Sequence, residues 1–178
     1  MPIKLSFTIF LVLSAVVYLL APAHSWQLSQ SGNISTRFGL PYTGFVFEFG
    51  PKWSLKSWVP YVMGKKWGRE IHWHPSGQRW LEREYVKGVP QGQFKGWHAN
   101  GKAQMLMHYV NGNIDGERWT WHANGQVAEY ALFKDGKEIA AKAWIADGKP
   151  FYNYVYQKGV KVGIKEGEFC RVTPKRSL

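Results

Sequence analysis

Past an uncharged leading run, the apolar positions of this chain fall in stretches of seven or eight residues rich in Trp, Tyr, Phe and Val, each bounded by a glycine dipeptide. That is the composition and length of β-strands separated by turns. The stretches recur every 24 residues. Trp73-His74-Pro75-Ser76-Gly77 returns as Trp97-His98-Ala99-Asn100-Gly101, as Trp121-His122-Ala123-Asn124-Gly125 and, one residue early, as Trp144-Ile145-Ala146-Asp147-Gly148. In step with it run Tyr85-Val86-Lys87-Gly88, Tyr109-Val110-Asn111-Gly112, Phe133-Lys134-Asp135-Gly136 and Tyr156-Gln157-Lys158-Gly159. Glycines four apart form a third series: Gly64 and Gly68, Gly88 and Gly92, Gly112 and Gly116, Gly159 and Gly163. Three interleaved elements in one period mark a repeat. Connections this short require antiparallel neighbours. The predicted fold is therefore all-β, a single-layer antiparallel meander of tandem β-hairpin repeats over residues 61–169.

A register follows if Ser76-Gly77 is a two-residue turn. Arg69 then faces Glu84, Glu70 faces Arg83 and Trp73 faces Trp80. The same rule pairs Trp119 with Tyr130, Trp144 with Phe151 and Tyr156 with Ile139. Opposite charges and paired aromatics across strands contribute about 0.2–1 kcal/mol each. The rule also sets Tyr85 opposite Gly68, Tyr109 opposite Gly92 and Phe133 opposite Gly116, as expected of rings covering bare glycine backbone. Alternation puts Trp73, Trp97, Trp121 and Trp144 on one face. The other face carries His74, His98 and His122 beside the turns, with Tyr85, Tyr109, Phe133 and Tyr156 at the far ends of the strands.

The skeleton Tyr-x-x-Gly-x-x-x-Gly-x-x-x-x-Trp-x-x-Asn-Gly, clearest over residues 109–125, resembles the MORN repeat, in the variant form of exported and other bacterial proteins. The resemblance covers residues 61–163. It implies single-layer hairpin arrays and, for function, a binding or assembly surface. Lys95, where Ile71 and Trp119 stand in other blocks, and Ala140, in place of the second glycine, depart from the pattern. Residues 24–60 read as an irregular lead-in with a capping hairpin, and 170–178 as a basic tail.

The leader changes the setting. After Lys4, residues 5–20 are uncharged and end at Ala21-Pro22-Ala23. This is the pattern of a secretory signal helix, residues 1–23, cleaved after Ala23. The competing reading is an uncleaved anchor, since residues 5–23 fall just short of a typical span. Either way the protein is expected outside the cytoplasm: periplasmic, in the cell envelope or secreted, and membrane-anchored if the leader stays. The net charge of +11 becomes +10 without Lys4. For an exported protein this points away from nucleic acid, towards acidic lipid, anionic glycan or an acidic protein. Cys170 is the single cysteine, which excludes an internal disulfide.

Candidate chemistry is sparse. The carboxylates fall in cross-strand pairs or turns, no nucleophile elbow or phosphate loop is present, and the expectation is a non-enzyme without cofactors. His98 with Met105 and Met107 on one face, and Cys170 as an outside ligand, form a donor set suited to copper or zinc. Against a site shared between repeats stands their spacing of roughly 9.5 Å, far beyond a metal–ligand bond. The bland reading lays the histidines over turn backbone and lets the methionines fill gaps. Trp73, Trp97, Trp121 and Trp144 are candidate binding residues, because aromatics concentrate interface energy; equally, they can be the apolar glue of a thin sheet. The leading functional expectation is an exported scaffold that binds a protein partner, or itself, through a sheet face or terminal edge. Electrostatic attachment to acidic lipid or glycan is the alternative.

Overall fold

The computed structural model describes residues 22–24, 27–31 and 33–165, and the chain is all-β with antiparallel, hairpin-rich sheets. Of the expected signal helix (residues 1–23), residues 1–21 lie outside the described residues, as do the basic tail and Cys170, whereas Ala23 lies in a short strand. The chain divides into two compact units, one ending at Val89 and one beginning at Pro90.

In the first unit, β1 (Ala23–His24) is followed by a small sheet of β2 (Ser29–Ser31), β3 (Ile34–Arg37) and β4 (Leu40–Pro41). The main sheet runs from β5 (Gly44–Phe49) through β6 (Leu55–Val62) and β8 (Gly68–Trp73) to β9 (Arg79–Val86), all antiparallel. Short β7 (Lys65–Lys66) also pairs with β6, and β1 lies parallel to β5. Ala23, Tyr42, Val46 and Val59 form the core, with Leu28 and Tyr61 packed against it. The lead-in folds onto the turn at Gly64, whose N–H donates to the Tyr42 carbonyl and whose carbonyl accepts from Ser35.

The second unit is a meander of β10 (Val89–Trp97), β11 (Ala103–Val110), β12 (Asn113–Ile114), β13 (Gly116–Trp121), β14 (Val127–Lys134), β15 (Lys137–Trp144), β16 (Pro150–Gln157) and β17 (Val160–Lys165). Each strand pairs antiparallel with the next, except that β11 pairs with β12 and then with β13. Its core is one face of the sheet, where Ala131, Phe133 and Ala141 are buried beneath Ile114, Tyr152 and Tyr154. Small alanines let the tyrosines lie flat across them. On the same face Arg118 binds Glu129 at 2.6 Å and covers Phe133 at 4.9 Å. The Tyr152 hydroxyl donates to Glu129 and that of Tyr154 to Glu138. Burial and these carboxylate partners push both phenols above their usual range. Trp119, Trp121 and Tyr130 occupy the other face, with Trp119 and Tyr130 at 4.6 Å and the two indoles stacked at 6.4 Å.

The expected register holds along the strands: Arg69 faces Glu84, Glu70 faces Arg83, Trp119 faces Tyr130, and Gly68, Gly92 and Gly116 face Tyr85, Tyr109 and Phe133. Near the tryptophans it needs correction. Trp73 faces Arg79, not Trp80, and Trp144 faces Pro150, not Phe151. The reason is turn chemistry. The turns after these tryptophans are three-residue loops, not two-residue ones. His74 N–H bonds the Gln78 carbonyl and Gly77 N–H bonds the His74 carbonyl; the pattern recurs at His98, His122 and Ile145. A turn followed by a left-handed glycine is the three-residue hairpin geometry. Each loop is offset by a register shift beside its tryptophan, so one residue is extra and the pairing recovers further along. The two-residue turns are at the opposite ends, where both residues are left-handed, as in Asp135 (φ 49°) and Gly136 (φ 76°).

Gly116 has a cause beyond its pairing with Phe133. At Gly116 (φ 90°) nothing lies within 4 Å of the position a Cβ would take, so no covering ring bars a side chain. Between Ile114 and Trp119 the pairing with β11 slips by two residues, and the left-handed glycine turns the chain through that slip. In the fourth block Ala140 replaces the glycine, the slip shrinks to one residue, and the block is one residue shorter. Gly163 is needed for space instead, since a Cβ there would strike Asn153 and Tyr154. We expect Gly116→Ala to destabilise the protein by about 1–2 kcal/mol, the cost of an L-residue in left-handed backbone, with Gly116→Asn recovering part of it. Urea unfolding checks this, and full stability in the alanine variant would refute the backbone explanation.

Candidate functional site

A pocket among the described residues is built in the first unit from two loops that lie in different sequence blocks. Residues 50–54 link β5 to β6, and residues 74–78 link β8 to β9. Between them Phe49, Pro51, Leu55, Trp73, Pro75 and Trp80 line a pocket of about 370 Å³, with Gly50, Ser54, Lys56 and His74 at its polar margin. Pro51 opens a 3-10 turn (Pro51–Trp53) closed by the Ser54 hydroxyl, which donates to the Pro51 carbonyl at 2.9 Å. Lys52 and Trp53 in this turn are both left-handed (φ 55° and 59°), and Trp53 is 81% exposed.

Trp80 reaches the pocket because it is the extra residue of the register shift, 44% exposed where regular pairing would have set it against Trp73. Its indole is braced by two histidines, His72 edge-on at 5.9 Å and His74 at 6.2 Å. His72 is in turn fixed by Glu70, with Nε2 donating to the carboxylate at 2.8 Å. Glu70 is 2% exposed and also binds Lys66 at 3.0 Å and Arg83 at 2.7 Å. Lys66 and Arg83 both sit over the Tyr85 ring. Burial opposes ionisation of Glu70, but the hydrogen bonds from His72 and Arg83 and the two cations outweigh it, and its pKa falls below the usual carboxylate range. The Glu70–Arg83 pair is legible from the register. The links from Glu70 through His72 to Trp80 are not, because they depend on rotamers and on a shift invisible in the alternation.

The other predicted residues serve the sheet itself. Trp97, Trp121 and Trp144 are half-buried; Trp121 stacks on Trp119, and Lys142 lies over Trp144 at 5.0 Å. Only Trp73 of the four lines the pocket. His98 Nε2 donates to the Trp121 carbonyl and His122 Nε2 to the Trp144 carbonyl, each at 2.8 Å. Asn100 and Asn124 reach the carbonyls of Ala123 and Ala146 in the same way. These histidines thus lie over turn backbone. Of the copper or zinc donors, His98 has one nitrogen committed, Met107 is buried opposite Phe94, and Met105 is half-buried opposite Gly96. The described residues bring no three His, Cys, Asp or Glu side chains together at metal-binding distance.

No family model matches the chain, and no curated protein does. A solved structure described as accessory secretory proteins 1, 2 and 3 in Streptococcus pneumoniae aligns with 82% of this chain at 13% identity and a TM-score of 0.18. The chain spans 20% of that chain's length, and a superposition this loose carries no argument about fold or function.

The bracing of Trp80 makes a prediction about acid. With its folded pKa depressed, Glu70 contributes stability that is present above the ordinary carboxylate value of about 4.3 and is lost as pH falls through the folded value. Glu70→Gln should lose roughly 1.5–3 kcal/mol at pH 7, the scale of a charged hydrogen bond, and the two proteins should converge on acidification. Urea unfolding at pH 7, 5 and 3 measures this; a gap that stays constant across that range would rule it out.

Proposed function

We propose that the chain is an exported, non-enzymatic repeat module of MORN type that presents its β-sheet surface to a protein partner in the cell envelope. The repeat reading is supported by the recurrence of one loop, one register shift and one histidine-to-carbonyl link at matching positions of successive blocks. The binding reading is supported chiefly by the pocket. Phe49, Trp73 and Trp80 surround a space large enough for an apolar side chain, and aromatic-lined hollows are where interface energy concentrates. The partner would insert one apolar residue there. Electrostatic attachment to acidic lipid or glycan is the alternative, favoured by the net charge and distinguished by its steep loss in salt.

A photo-reactive phenylalanine at Ser54, on the pocket margin, is expected to yield one discrete protein adduct in intact cells. The same probe at Lys87, in a distant turn, should yield none. Adding Trp80→Ala should remove the Ser54 adduct while leaving the exported protein folded. An adduct indifferent to Trp80→Ala, or no adduct at all, would overturn the pocket as the docking point.

A further inference from the structure

A projecting apolar ring and a hollow able to receive one stand on the same short turn of the first unit. Trp53 is 81% exposed, while Gly50, Pro51 and Ser54 of its own turn line the pocket. Phe49 is the wall between them. It lines the pocket and meets the Trp53 ring edge-on at 6.1 Å.

The exposure of Trp53 is built into the backbone. Lys52 and Trp53 are both left-handed, at φ 55° and 59°, in a turn that the Ser54 hydroxyl closes on the Pro51 carbonyl at 2.9 Å. Such backbone is unfavourable for a bulky side chain and persists where the surrounding structure and its use retain it. Burial of an aromatic ring removes about 150–250 Å² from water, and Trp53 realises little of that within its own chain. A ring and a hollow side by side make the surface complementary to itself: a two-fold axis between them carries each into the other. Alternation also sets Phe45, Phe47 and Phe49 on one side of β5, where Phe45 and Phe49 are exposed, so apolar surface continues beyond the pocket.

Resting on the reading of this pocket as the docking point, we propose that the protein partner is a second copy of this chain. The two copies exchange tryptophans, Trp53 of each entering the pocket bounded by Phe49, Trp73 and Trp80 of the other. Trp80, held by His72 and His74, is the wall that the incoming indole meets. Two indoles at about 150–250 Å² each fall well short of the roughly 1,200 Å² of a stable interface, so the dimer is reversible. Charge opposes it at long range, because residues 24–89 carry nine Lys and Arg against four Glu. Salt screens that repulsion and strengthens the dimer, the reverse of attachment to an acidic partner.

The test places a photo-reactive phenylalanine at Pro75, on the pocket wall opposite the Trp53 turn, in the full chain. Alanine fills the equivalent position in the next blocks, Ala99 and Ala123, so the loop does not require this proline. In intact cells and with purified protein, the expected adduct has twice the mass of the chain, and both linked peptides come from it. Trp53→Ala and Trp80→Ala should each reduce the adduct about tenfold or more, as loss of an anchoring aromatic does. Mixing the two variants, with the probe in the Trp53→Ala copy, should restore it, since the intact pocket of one receives the intact Trp53 of the other. Sedimentation of the purified protein should shift from monomer towards dimer as salt is raised. An adduct to a different protein that still needs Trp80 would overturn the second copy and leave the pocket reading standing. A doubled-mass adduct that survives Trp53→Ala, or is not restored by mixing, would overturn the exchange. An adduct indifferent to Trp80→Ala, or none, would overturn both readings.

Discussion

Left-handed backbone at fixed intervals is the constraint on which the hairpins of this protein depend. A thin sheet has no thick core to hold its strands in register, so the turns must do it. They alternate between two kinds. Two-residue turns such as Asp135-Gly136 carry two left-handed residues, and three-residue loops such as that ending at Gly125 carry one. The first kind matches the natural twist of paired strands, and the second inserts an extra residue that must be taken up nearby. Turn-to-turn hydrogen bonds from His98, Asn100, His122 and Asn124 then tie each loop in the second unit to the next. Stability of this kind passes from neighbour to neighbour.

The same constraint creates the candidate site. Because the loop after Trp73 has three residues, the sheet must accommodate Trp80 as a surplus, and a surplus residue is free to leave the ladder. In the second unit the equivalent surplus positions are Gln104, Ala128 and Phe151, so the loop geometry recurs while the side chain it exposes does not. Such positions can carry function, because changing them leaves the register intact. Glu70 illustrates the complementary case. Its carboxylate fixes His72 and Arg83 at a cost in desolvation, and what is gained is a defined orientation for the ring that walls the pocket.

Much of this was legible in the sequence because period and pairing are encoded locally. Arg69 with Glu84, Trp119 with Tyr130 and Gly116 with Phe133 follow from alternation and loop position alone. The turn type was not, since Asn-Gly and Ser-Gly satisfy both a two-residue turn and the end of a three-residue loop. The role of Gly116 is hidden for a related reason: a glycine opposite an aromatic suits ring covering and register slip alike, and only the backbone angle separates them. The pocket is not legible in the sequence because Phe49 and Trp80 lie in different blocks, one of them too worn to align. Its single sequence signal was Trp80, an indole beyond the recurring Trp-His motif.

Ala23 marks where sequence and structure compete most directly. An Ala-Pro-Ala ending after an apolar run satisfies a peptidase by its small side chains, and a tight core beside Tyr42 selects a small side chain for its own reasons. The motif alone cannot separate these causes. Within the fold Ala23 pairs in parallel with Val46 of β5 and packs against Tyr42. The parallel pairing also differs in kind from every antiparallel hairpin that follows, so no period in the sequence could have announced it.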